Sequence, residues 1–363
     1  MPDALLAIGT RKGLFLARSR DGRATWELEG PYFPMDAVYA AAIDSRRAKP
    51  RLLAAATSGH WGPTVYRSDD LGSTWQETEG GALRFPAETG AALEHVWQLL
   101  PAGTDQPDVV WAGTEPSALF RSDDGGETFA LVEGLWNHPH RPTWTPGGGG
   151  LCLHTVVPHP ADPARITVAM STGGVYRTSD GGATWEPANR GVAAPFLPDP
   201  EPEYGQCVHK IASHPQRPEQ FFLQNHGGVY RSDDDARTWT SIGEGLPATF
   251  GFPVIVHPHQ PGVAYVFPLV ADASRMPPEA RARVFRTPDA GATWEALDDG
   301  LPAEHAYFAV LRDAMCADLE QPAGIYFGTR NGEVYASSDE GDSWAAVATH
   351  LPDVYCVRAA VLE

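Results

Sequence analysis

One phrase, Y/F-R-S/T-x-D-x-G-x-T-W, recurs along this 363-residue chain and constrains its fold more than any other feature. Its full form is Ser68, Asp70, Gly72, Thr74 and Trp75, within a box at 68–75. Further boxes stand at 122–129, 178–185, 287–294 and 337–344, and degenerate ones at 19–26 and 232–239 carry Arg23 and Ala236 in place of glycine. The closing aromatics, at 26, 75, 129, 185, 239, 294 and 344, follow one another at intervals of 49, 54, 56, 54, 55 and 50 residues. Such a period marks a stack of equivalent units sharing one core. Each residue type has a local reason to be there. Asp and Ser/Thr side chains satisfy the amides of a tight turn, glycine permits positive φ, and the aromatic returns to the core.

Ahead of five of the boxes lies a short strand ending in arginine (Tyr66-Arg67, Phe120-Arg121, Tyr176-Arg177, Tyr230-Arg231, Phe285-Arg286), and before it two further apolar runs. With the strand that starts at the aromatic, each unit holds four strands, the content of one propeller blade. The N-terminus supplies three, near Leu5–Gly9, Gly13–Arg18 and Thr25–Leu28. The missing one is "DVYCVRAAVLE" at the other end of the chain. We therefore expect an all-β fold: a single seven-bladed β-propeller over residues 1–363, its ring closed by the C-terminal strand joining the N-terminal blade. Closure removes the unpaired edges that would otherwise invite aggregation.

These residues resemble the Asp-box, or BNR-repeat, superfamily, which includes sialidases, xyloglucan-active hydrolases, sortilin-type receptors and Hcf136-like photosystem assembly factors. The resemblance covers the whole chain and implies the propeller; it spans enzymes and binding proteins alike. Sialidase-like members carry an arginine triad, a Tyr/Glu nucleophile pair and an Asp acid/base, for which no equivalent is evident here. The recurrent arginines read as structural, on the face away from the usual pocket. A glycosidase also needs two carboxylates in different protonation states, and Glu94, Glu115 and Asp36 have no partner that spacing identifies.

Charge narrows the partners. The 27 Lys and Arg against 46 Asp and Glu give a formal net charge of −19, which disfavours nucleic acid and anionic membranes. Four scattered cysteines do not read as a disulfide framework. The opening "MPDALLAIGTRKGLFLA" lacks a basic n-region and a long apolar stretch, so the expected location is cytoplasmic.

Aligning inner strands on the proline that follows them gives the candidate site. In "EHVWQLLP", "LHTVVPHP" and "VHKIASHP", His95, His154 and His209 each stand six residues before a proline. At the corresponding register the other blades carry Tyr39, Phe252, Tyr307 and Tyr355. Three long connections, about Glu79–Leu93, Glu133–Leu151 and Ala188–Gln206, lead into the histidine strands, and long loops in compact folds are often functional. His95, His154 and His209 could together hold Zn, Fe, Cu or Mn, or pack between blades on backbone carbonyls. Glu94, His60 and Arg330 are the candidate catalytic groups, and Tyr39, His226, Tyr307, Tyr355 and Arg11 join the three histidines as candidate ligand contacts. Cys152 and Cys207, two residues before His154 and His209, could add thiolates to the site, pair with each other or fill the core. The leading reading is a small-molecule enzyme or enzyme-like binder of hydrolase or lyase type, acting on a small polar molecule or carbohydrate at the channel mouth. The alternatives are a divergent sialidase-like glycosyl hydrolase and a non-catalytic assembly or recognition platform.

Overall fold

A computed structural model describes residues 3–78, 83–148, 150–195 and 197–362. It is all-β, with five four-stranded antiparallel sheets and one eight-stranded sheet. In the larger sheet two four-strand halves meet at one parallel pair, Asp313 with Cys356. The first strands of successive sheets pack on one another in sequence: Ala37–Asp44, His95–Pro101, Leu153–His159, Val208–His214, Phe250–Val256, Val310–Ala317 and Val354–Leu362, the last returning to Ala37–Asp44. The terminal strand pairs antiparallel with Asp3–Thr10, for example Leu5 with Ala360. The C-terminus thus completes the N-terminal sheet, as its sequence led us to expect.

Burial follows position in the sheet. Second strands such as Val110–Glu115 and Ile325–Thr329 are buried almost throughout, because neighbouring sheets cover both faces, and their sequences are accordingly continuous apolar runs. Outermost strands shrink to two exposed residues, as in Gln76–Glu77 and Thr240–Ser241, too short to template an intruding strand.

The repeat phrase builds one turn throughout. Ser68 Oγ donates to Asp70 Oδ1 at 2.8 Å and accepts from the Gly72 amide at 2.8 Å; Asp70 accepts from the Thr74 amide at 2.8 Å and the Thr74 hydroxyl at 2.7 Å. Ala236 and Arg23, where glycine is missing, still adopt φ of 61° and 73°. The side-chain network is therefore sufficient to impose the left-handed turn. The arginines before the turns are paired: Arg177 with Asp235 at 2.7 Å, Arg231 with Asp233 at 2.8 Å, Arg286 with Asp342 at 3.0 Å.

Hydrogen bonds from Thr25 and Thr184 hold the Asp21 and Asp180 carboxyls at about 2. Their folded-state pKa lies below the unfolded value, so their stabilisation is complete above about pH 4 and is lost as pH falls through 2. Thermal melts between pH 5 and pH 2 should show a shallower acid loss in Asp180→Asn than in wild type; equal slopes would show that the turn carboxylate contributes nothing.

Candidate functional site

The strands around the axis do not run straight. Ladder register slips between Val38 and Ala40, Val96 and Gln98, Leu153 and Thr155, Val208 and Lys210, and Gly251 and Val254. The skipped residues include Tyr39, Trp97, His154, His209 and Phe252, and a bulge re-aims the side chain it carries. In the terminal strand the slip falls at Tyr355.

This ladder corrects the alignment of the three histidines. Pro101 pairs with Val110 and through it with Ser122. Pro158 relates likewise to Ile166 and Thr178, and Ser213 to Phe221 and Ser232. Pro101 therefore corresponds to Pro158, not Pro160, and Trp97 is the counterpart of His154 and His209. His95 shares its register with Cys152 and Cys207. Two prolines in "VVPHP" made the spacing ambiguous.

The three histidines do not converge as a metal triad. His154 is fully buried, with Nε2 on the Val208 carbonyl at 3.0 Å and Nδ1 on the Thr155 hydroxyl at 2.9 Å. Burial, then the nearby Arg312 and Lys210 charges, push its pKa well down. Both nitrogens are committed, so this neutral ring pins two inner strands together. His95 Nδ1 lies 3.1 Å from Glu115 Oε2, which also accepts from Trp97 Nε1 at 2.9 Å. Among the described residues, the groups whose ligand atoms converge are Cys207–His209–His226 and Glu94–His95–Glu115.

Of the bulged residues, Tyr39, Trp97, His209, Phe252 and Tyr355 open onto a cavity of about 230 Å³, and His154 does not. Of the candidates, Tyr39, His209, His226, Arg330 and Tyr355 line it. His95 stands behind Tyr39, ring centroids 4.5 Å apart, and Tyr39 stacks on Tyr355 at 4.6 Å. Arg330 is engaged by Asp353. The structure does not bring His60, Arg11, Glu94 or Tyr307 to the cavity: the first three are exposed in turns or at a strand margin. Tyr307 is 60% exposed because its strand begins only at Val310. The Asp313 side of that strand takes the inward position instead. Gly147 and Gly148, from the second long connection, reach the cavity rim. In the first connection Leu83 and Phe85 turn into the core, and in the second Trp144 does so. Glu79 through Ala82, Gly149 and Phe196, in the three long connections, lie outside the described residues.

Sequence reasoning missed the charged floor. Arg312, 8% exposed, donates from one NH to Ser171 Oγ at 3.1 Å and Cys152 Sγ at 3.3 Å, with its guanidinium 5.2 Å from the Trp97 ring centre. Cys152 is thereby part of this network, not of a disulfide with Cys207. Asp313 Oδ1 receives Lys210 Nζ at 2.8 Å and Arg358 at 2.6 Å. Its Oδ2 is buried without a hydrogen-bond partner among the described residues. Burial alone would raise this carboxyl, but Lys210 and Arg358 hold it below the usual range. Arg312, Lys210 and Arg358 against one carboxylate leave two positive charges at the centre of a chain whose formal net charge is −19. On the rim, Arg275 lies 5.3 Å from the Phe252 ring centre and pairs with Asp272 at 2.7 Å. The available signal was a charge inside an otherwise apolar inner strand, as in "AVLRDAM", "VHKIA" and "YCVRAAV".

No family model matches the chain, and no curated protein does. Solved structures do match its fold. YCF48 bound to a D1 peptide superposes with a TM-score of 0.53 at 12% identity, covering 95% of this chain and 85% of that one. An ancestral GH74 enzyme gives 0.56 at 15% identity, over 85% of this chain and 38% of the other. The GH74 enzyme of Niastella koreensis gives 0.53 at 15% identity, over 98% and 69%. At these identities the likeness shows a shared propeller architecture and nothing finer.

Proposed function

We propose that the chain is a seven-bladed propeller whose channel mouth captures a small organic anion in an enzyme-like pocket. Five four-stranded sheets and the two halves of the eight-stranded one support the count. The observation that carries the function is Arg312 on the cavity wall, buried on Trp97, beside a positively charged floor. A buried guanidinium that pairs with no carboxylate among the described residues is costly, and an anionic ligand supplies one. Asp313, ionised and with Oδ2 unpartnered among the described residues, offers an acceptor for a hydroxyl on the same ligand, in a pocket we read as serving hydrolase- or lyase-type chemistry. The cavity is smaller than the roughly 300–1,000 Å³ of sites for drug-sized ligands, which favours a compact molecule, and the cytoplasm is where we expect it to be met.

A glycosidase requires one protonated carboxyl. Asp272 and Asp313, both on the cavity wall, are each held below the usual range, which argues against that reading. Calorimetric titration with 2-hydroxycarboxylates, the matching carboxylates and their neutral amides tests the proposal. The hydroxy acids should bind most tightly and the amides should not bind; equal binding of acids and amides would refute an anion site.

A further inference from the structure

Cys207, His209 and His226 form a second constellation within the same cavity, and the fold assembles it from two adjacent strands. Cys207 immediately precedes Val208–His214, and His226 immediately follows Arg217–Asn225. The His226 amide donates to the Cys207 carbonyl at 2.9 Å, extending the ladder by one step and holding the two residues side by side. The bulge between Val208 and Lys210 then turns His209 toward them. Its ring centre lies 5.7 Å from that of His226.

The chemistry of His209 is fixed by its outer nitrogen. Nδ1 lies 2.5 Å from the Gly251 carbonyl oxygen, which can only accept, so Nδ1 carries the proton and Nε2 presents its lone pair. A backbone carbonyl on the far nitrogen is the usual device for orienting a metal-binding imidazole. Nε2 stands 3.6 Å from Cys207 Sγ. Zn–S and Zn–N bonds of about 2.3 and 2.0–2.1 Å, set at the tetrahedral angle, place sulfur and nitrogen about 3.5 Å apart. The ligand atoms of all three residues lie within 4.8 Å of one another, and all three residues line the cavity.

We propose that Cys207, His209 and His226 bind one zinc-class transition-metal ion, with a fourth coordination position open to the cavity. One thiolate and two imidazoles favour a tetrahedral, borderline-soft ion over calcium or magnesium. Loading releases the Cys207 proton to solvent and leaves the site with one net positive charge. Asp272, a carboxylate on the same cavity wall, partly offsets that charge. Three protein ligands with an open position are the arrangement of sites that hold water or substrate on the metal.

Cobalt(II) titration of protein purified without a histidine tag and stripped with a chelator tests this directly, with no anion added. Wild type should take up one equivalent with an intense thiolate-to-cobalt charge-transfer band. Cys207→Ser should lose that band, and His226→Gln should weaken uptake at least about 100-fold, more than loss of an outer-shell partner costs. Absence of stoichiometric uptake by wild type, or a charge-transfer band that survives in Cys207→Ser, overturns the proposal. Because the readout needs no anion, failure here leaves the Arg312 site standing, and failure of that site leaves this one.

Discussion

Asp313→Asn should lower the free energy of unfolding by about 3 kcal/mol. Removing one partner of a buried ion pair costs roughly 3–5 kcal/mol, because the remaining charge stays buried without compensation. Two cations depend on Asp313: Lys210, with a side chain 12% exposed, and Arg358, at 21%. The residual solvation of Arg358 and its second bond, to the Asp313 carbonyl at 2.9 Å, place the effect at the lower end of that range. Location adds to it, since Asp313 makes the parallel pair that joins the two halves of the eight-stranded sheet. Urea denaturation followed by tryptophan fluorescence measures the loss. A change below about 1 kcal/mol would mean that the central charges are solvated and that the floor is not the low-dielectric cluster described above.

Arg312→Met should reduce affinity for the preferred carboxylate by about 30-fold or more while leaving the protein folded. Truncating one member of a desolvated charge pair costs about 2–5 kcal/mol of binding, and each 1.4 kcal/mol is tenfold. Methionine keeps an apolar stem against Trp97 and forfeits the two hydrogen bonds to Ser171 and Cys152. Arg312→Lys should recover little, because a point charge lacks the planar fork that grips a carboxylate and stacks on an indole. Calorimetry on the three proteins separates these outcomes. Unchanged affinity in Arg312→Met would move the anion to the rim arginines, Arg275 and Arg330.

The repeat turns were legible in the sequence because they are local: Ser68, Asp70 and Thr74 lie within seven residues and satisfy one another. Closure was legible because an unpaired strand at one end matched a missing strand at the other. The site was legible only in part. Tyr39, His209, His226 and Tyr355 reached the cavity because each sits where an inner strand bends or where a short turn begins. His154 did not: a bulged imidazole can face the axis or the next strand, and the Val208 carbonyl decides between them. Tyr307 was lost to a loop whose length no local signal gives. Arg312, Lys210, Asp313 and Arg358 come from three separate strands, and only the folded ring shows that their charges share one centre.

A crystal structure of the protein with the tightest-binding hydroxy acid tests the account most directly. The prediction is a carboxylate whose oxygens lie within about 3 Å of Arg312 nitrogens, with the ligand hydroxyl on Asp313 Oδ2. A ligand bound elsewhere on the chain while the central cavity holds only solvent would contradict it.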